Sequence, residues 1–210
     1  MSHRPSLDCI ATYCADAALP WDDGRAAQMA HYLDLLMQFN QAMNLIGPMS
    51  PPEIVEYLLL DSLVATAARQ PQGPILDVGC GAGLPGIPIK IVYPESAITL
   101  VEPRRKRSTF LKVATHRLGL NDVDIFRGRI EDFQGQDFDT VISKAFQAPT
   151  TWLATARPFI ADDGAVIVMG RQSDRPDLID TAQRLGLPHH SEARGAGGGE
   201  DQRVCYAFSP

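Results

Sequence analysis

Apolar residues recur along this chain in two different periods, and the switch between them divides it. From 22 to 46, Met29, Leu33, Leu36, Met37, Asn40 and Met43 fall at helical spacing and predict one long amphipathic helix. Ser50-Pro51-Pro52-Glu53 reads as a capping box with prolines in the first turn, opening a helix that runs to about Arg69. Pro71-Gln72-Gly73-Pro74 then breaks the helical pattern. Beyond it, short apolar runs alternate with amphipathic stretches. Strands are expected near 74–79, 97–102, 122–127, 138–143 and 164–169, with helices near 85–93, 104–118, 150–160 and 175–186. Such alternation argues for a parallel sheet with crossover helices. The tail differs: Pro188–Glu192 and Val204–Phe208 read as two antiparallel strands flanking Gly195–Gly199, expected to be a mobile loop. The expected architecture is α/β and Rossmann-like, a mostly parallel seven-stranded sheet closed by a C-terminal antiparallel hairpin. Residues 1–72 form a helical extension and 73–210 the sheet domain.

The first strand ends in a stretch that carries chemistry. In Ile75-Leu76-Asp77-Val78-Gly79-Cys80-Gly81-Ala82-Gly83-Leu84-Pro85-Gly86, an apolar run meets an acid, three alternating glycines and a proline. Backbone without Cβ atoms lets a ligand approach closely. A dinucleotide loop needs G-x-G-x-x-G. Counted from Gly79 the sixth position is Leu84, so the pattern fails; counted from Gly81 it is met, with Leu84 and Pro85 inside the loop. Asp77 followed by Gly79, Gly81 and Gly83 fits better the loop of enzymes that bind S-adenosylmethionine (SAM). Glu102 closes the second strand, at the sheet edge where open α/β folds bind ligands, and is placed to accept hydrogen bonds from ribose hydroxyls.

Charge changes the picture only when mapped. The net charge is −6, unfavourable for a nucleic-acid binder. Yet 104–129 holds Arg104, Arg105, Lys106, Arg107, Lys112, Arg117, Arg127 and Arg129 against Asp122 and Asp124. A local patch of this kind can neutralise phosphates whatever the overall sign. The 210 residues suffice for one good core. No stretch reads as a membrane span or a secretory signal. Cys9, Cys14, Cys80 and Cys205 show neither zinc spacing nor a disulfide framework, which suits a reducing cytoplasm and predicts no metal site.

These residues resemble the RsmG (GidB) methyltransferase family over roughly 25 to 208. The resemblance is carried by Phe39-Asn40-Gln41-Ala42-Met43-Asn44-Leu45, Leu60-Asp61-Ser62-Leu63, Asp77 to Pro88, Lys106-Arg107 with Phe110-Leu111, Gly128-Arg129-Ile130-Glu131, and Ser143-Lys144-Ala145-Phe146. It implies SAM as methyl donor and N7 of a guanine in 16S ribosomal RNA, free or in the small subunit, as target. It also implies that Gly79, Leu84, Ile130, Glu131 and the position of Lys144 line the SAM pocket, Lys144 being the candidate positioning residue. Asp77, Gly81, Gly83 and Glu102 join this set from the glycine-loop reading. Arg104, Arg105, Lys106, Arg107, Arg127 and Arg129 are the candidates for RNA phosphate, with Phe146 for stacking on the base. The chain has Lys144 where the family commonly has Arg, and Val168-Met169-Gly170-Arg171 where it often shows Leu-Lys-Gly, so Arg171 is a further RNA candidate. Asn44 and Asp61 are equally readable as helix caps or as site residues.

The missing motifs agree with a ring nitrogen as acceptor. Ser143-Lys144-Ala145-Phe146 is not the Asn/Asp-Pro-Pro-aromatic run expected for exocyclic amines, and no cysteine lies between 80 and 205 to attack a pyrimidine. Two other functions remain compatible with the loop: methylation of a small molecule or protein, and a SAM- or RNA-binding module without catalysis. Nothing in the sequence demands more than a monomer.

Overall fold

The computed structural model describes residues 6–195 and 202–210. The glycine-rich loop expected at 195–199 lies, past Gly195, outside the described residues. The N-terminal helices are α1 (Asp8–Asp16) and α2 (Asp23–Met43). In α2, Asp22 caps the first turn by accepting from the Arg25 amide at 2.8 Å. Asn44 ends the helix in the left-handed conformation (φ 51°), and the Asn40 side chain accepts from the Ile46 amide at 2.9 Å. The two asparagines of that motif therefore shape a helix end.

The helix expected from Ser50 to about Arg69 forms as three consecutive pieces. These are α3 (Pro51–Ile54), a widened π-helical turn (Val55–Leu60) and α4 (Asp61–Ala68). Glu53 reaches back to the Ser50 amide at 2.7 Å, as the capping box requires. In the widened turn the Tyr57 carbonyl accepts from Lys144 Nζ at 2.6 Å, a long-range contact that no local propensity encodes.

The seven strands are β1 (Ile75–Val78), β2 (Ile98–Val101), β3 (Val123–Phe126), β4 (Phe138–Ser143), β5 (Ile160–Arg171), β6 (His189–Arg194) and β7 (Arg203–Ser209), in the order β3-β2-β1-β4-β5-β7-β6. β1 to β5 pair in parallel, and β7 runs antiparallel to both its neighbours. β5 is longer than its apolar run of 164–169 suggests. Its register against β4 shifts between Phe138 and Thr140, and Gly164 passes so close to the Phe138 carbonyl that a Cβ would stand 2.5 Å from it. The crossover helices are α5 (Gly86–Val92), α6 (Arg105–Arg117), α7 (Pro149–Ala156) and α8 (Arg175–Arg184).

Strand alternation splits the core in two. Ile75, Leu100, Ile142, Ile167 and Cys205 face a layer built with α1, α2, α4, α5 and α6. Leu76, Val78, Val141, Val168 and Tyr206 face α7 and α8 through Trp152, Leu153 and Leu178. The strand order reverses direction between β1 and β4, which opens a crevice at their carboxyl ends, the place where open α/β sheets bind ligands.

Candidate functional site

The loop after β1 packs tightly, its residues 80–86 buried and Gly79 partly exposed. Gly79 sits at φ 69°, and a Cβ there would come within 2.7 Å of the Phe146 ring, so only glycine fits beneath that ring. The Gly79 and Cys80 amides both donate to the Val101 carbonyl, at 2.9 and 3.2 Å. Behind the loop, Asp77 is fully buried and its Oδ2 accepts from the Gly86 amide at 2.7 Å. Asp77 Oδ1 is buried without a hydrogen-bond partner. Burial pushes the Asp77 carboxyl up to about 7, with the Gly86 amide opposing the shift and Glu102 reinforcing it. Gly86 packs against this carboxylate so closely that a Cβ would stand 2.6 Å from Oδ2.

Glu102 is buried at the end of β2 and already partnered by backbone. Its Oε2 accepts from the Gly81 amide at 3.0 Å and its Oε1 from the Arg104 amide at 2.8 Å, with Arg107 Nη1 4.0 Å away. Glu102 thus ties the glycine loop to the start of α6, and each oxygen keeps a second lone pair for a ligand. Tyr32, fully buried on α2, donates to the Ala82 carbonyl at 2.8 Å and anchors the loop from the other side.

A cavity of about 220 Å³ opens here, lined by Val78, Gly79, Val101, Arg129, Ile130, Glu131 and Phe146 among others. Gly79, Ile130 and Glu131 are therefore brought together, as expected. Gly81 and Gly83 lie in the supporting turn. Leu84 is buried in the hydrophobic core instead of bordering this cavity, because the turn into α5 folds it inward. Asp77 and Glu102 are buried behind the loop and do not border this cavity, so of the expected set it is the partly exposed backbone at Gly79, with Ile130 and Glu131, that suits SAM.

Lys144, expected on the same pocket, is placed elsewhere. Its ammonium lies 3.5 Å from Asp61 Oδ2 and lines a separate cavity of about 200 Å³ with Asp61, Met169, Arg203 and Cys205. Past the end of β4, Ala145 takes a left-handed conformation (φ 54°) and turns the chain, so Lys144 and Ala145 border this second cavity and Phe146 the first. Burial lowers the Lys144 pKa, against the raising effect of Asp61. Arg203 pairs with the same Asp61 oxygen and stacks its guanidinium 4.5 Å from the Tyr57 ring centroid. Asp61, Tyr57 and Arg203 form a cluster that sequence reading did not assemble. The Leu-Asp-Ser motif drew attention to Asp61, whereas Arg203 stands 142 residues away with no local signal.

Arg104, Arg105, Lys106, Arg127 and Arg129 are exposed, while Arg107 is half-buried and turned over the glycine loop. Phe146 is 39% exposed and meets Trp152 edge-on at 6.0 Å. Arg171 lies in a shallow depression with Met169, Asp174 and Arg203. Cys80 and Cys205 are buried, which pushes the Cys80 thiol well up and the Cys205 thiol to about 12, so neither is poised as a thiolate nucleophile. Among the described residues no helix is long and apolar enough to cross a membrane.

Comparison with known proteins places this geometry. The family described as rRNA small subunit methyltransferase G (GidB) matches residues 25–190. The ribosomal RNA small subunit methyltransferase G of Methylobacillus flagellatus is 36% identical over 70% of this chain and 72% of its own. That of Chromohalobacter salexigens is 36% identical over 79% of each. Among solved structures, M. jannaschii TYW2 in complex with AdoMet superposes with a TM-score of 0.56 at 17% identity, covering 70% of this chain and 72% of that one. A SAM-dependent O-methyltransferase from Thermotoga maritima gives 0.57 at 14% identity, over 85% and 71%. At those identities the structural likeness shows the fold alone.

Proposed function

The chain belongs to the rRNA small subunit methyltransferase G family, SAM-dependent enzymes, and from that premise we propose that it methylates N7 of a guanine in 16S ribosomal RNA. The observation that carries this reading is the cavity at Gly79, floored by bare backbone and rimmed by the exposed guanidinium of Arg129. Gly79, Ile130, Glu131 and Phe146 would hold SAM there, with Asp77, Gly81, Gly83 and Glu102 shaping the loop behind it. When bound, SAM supplies a methyl group activated by its sulfonium.

Guanine N7 carries an in-plane lone pair and no proton at neutral pH. The protein therefore needs no general base, and its residues have to orient the base and hold the RNA. Orientation of this kind can contribute about 7–11 kcal/mol. Arg104, Arg105, Lys106, Arg127 and Arg129 supply phosphate contacts, and Phe146 offers an exposed ring for the base. The raised thiols of Cys80 and Cys205 argue against covalent attack on a pyrimidine. The same reading takes small-subunit RNA, free or assembled, as substrate, a monomer as the working unit and the cytoplasm as the place.

The test is site-resolved. Small-subunit RNA from cells with and without this protein is treated with borohydride and aniline, which cleave at N7-methylguanine. One cleavage band should vanish on deletion and return when protein and SAM are added. An unchanged pattern would remove the RNA assignment.

A further inference from the structure

The Asp61 cavity is separate from the one that suits the cofactor, yet both open at the carboxyl ends of the strands and meet at Ala145–Phe146. Its walls are largely apolar, from Val64, Met169 and Val204, and its polar groups converge on one carboxylate. Asp61 Oδ2 engages both cations, Lys144 and Arg203. Asp61 Oδ1 turns toward Gly195, where a Cβ would stand 3.7 Å from it, and makes no hydrogen bond among the described residues. The cluster is itself held: Lys144 also donates to the Tyr57 carbonyl, and Arg203 stacks on the Tyr57 ring. The result is an acceptor oxygen set directly beside two cationic donors, in a largely apolar cavity of about 200 Å³.

Guanine presents the complement of that pattern. Its Watson–Crick edge carries the N1–H and N2–H₂ donors next to the O6 acceptor. Adenine reverses it, with an acceptor at N1 and a donor amine at C6. Extruded or single-stranded bases are read on this edge. We infer that Asp61, with Lys144 and Arg203, is the determinant of guanine specificity: Oδ1 accepts from N1–H and N2–H₂ while the cations donate to O6. Held by this edge, the base leaves N7 unobstructed. The inference rests on the methyltransfer reading above and adds to it the group that chooses the base. A purely structural role, stapling the widened turn to β4 and β7, would leave base choice untouched.

The test replaces the target guanine by inosine, which lacks only the 2-amino group, or by 2-aminopurine, which lacks O6 and N1–H. Labelled methyl transfer gives kcat/KM for each, on whichever form of the RNA the wild-type protein modifies. Loss of a hydrogen bond to a carboxylate predicts at least about tenfold discrimination against inosine, and more against 2-aminopurine. In Asp61→Asn the guanine-to-inosine ratio should fall at least about fivefold with SAM affinity unchanged. A wild-type ratio near one overturns the inference without recourse to any variant, as does Asp61→Asn keeping the wild-type ratio. If the wild-type protein methylates no guanine at all, the control shows it before any base is replaced; the functional reading then fails and takes this inference with it.

Discussion

Asp77 shows how one buried side chain couples stability to the glycine loop. Its carboxyl is raised to about 7 by burial, so the folded protein holds the proton more tightly than the unfolded chain, whose value is near 3.8. The stability this group contributes is complete below about pH 4 and is lost as pH rises through about 7. Asp77→Asn keeps an acceptor for the Gly86 amide but cannot ionise. The stability of the wild type relative to Asp77→Asn should therefore fall between pH 4 and 7.5, by up to about 4 kcal/mol. Chemical denaturation of both proteins across that range reads it directly, and a constant difference would mean that Asp77 titrates normally. This residue was legible because the acid precedes three alternating glycines within one short stretch. Asp61 was not, because its meaning comes from Lys144 and Arg203, brought in by β4 and β7.

At the scale of an element, α6 is the informative case. Arg105, Lys106 and Arg107 occupy its first turn, where the helix dipole disfavours cations by about 0.3–1 kcal/mol each. Packing does not demand them, since the buried face is Ser108, Phe110, Leu111, Ala114 and Thr115. The Phe39 ring meets Phe110 at 5.5 Å and fixes where the helix lies. Arg107 faces Glu102 at 4.0 Å, whereas the exposed Arg105 and Lys106 oppose the dipole, and we propose that they meet an anion outside the protein. Arg105→Glu should leave the melting temperature unchanged or raised, weaken RNA binding and reduce its salt dependence, and spare SAM affinity. Parallel titrations with RNA and with SAM separate the possibilities, because loss of both together would indicate a folding defect. Periodicity found this helix within a residue or so at each end. It could not find the widened turn at Val55–Leu60, whose Tyr57 carbonyl accepts from a lysine 87 residues away.

Across the whole molecule the N-terminal helices and the sheet share one apolar layer. Met29, Leu33 and Leu36 on α2 join the same cluster as Ile75 and Leu100 on the central strands, and Tyr32 bonds the glycine loop. We propose that residues 1–72, although a separate helical segment in sequence, unfold together with the rest. Leu36→Ala should cost about 2–5 kcal/mol and lower a single transition, seen alike by far- and near-ultraviolet circular dichroism. Two separated transitions would show an independent extension. The charge distribution is likewise a whole-molecule property: a chain of net charge −6 gathers one cluster of cations on α6 and the Arg127–Arg129 loop. We propose that RNA meets that face, drawn by the local cations despite the overall negative charge.

The α/β alternation, the position of the glycine loop and the family were legible along the chain, because each is written in contiguous residues: a hydrophobic period, a capping box, an acid followed by alternating glycines. Also legible was that a nucleoside cofactor was the ligand to expect, since bare backbone at a strand end serves little else. Tertiary packing was needed to show that Glu102 is already engaged by two amides, that Leu84 is core, and that Lys144 turns from the Gly79 cavity toward Asp61. These outcomes depend on strands that adjoin in space but not in sequence. Past β4 the chain turns through a left-handed Ala145, so a one-residue step from Ala145 to Phe146 separates two cavities, and no hydrophobic period along the chain records which is which.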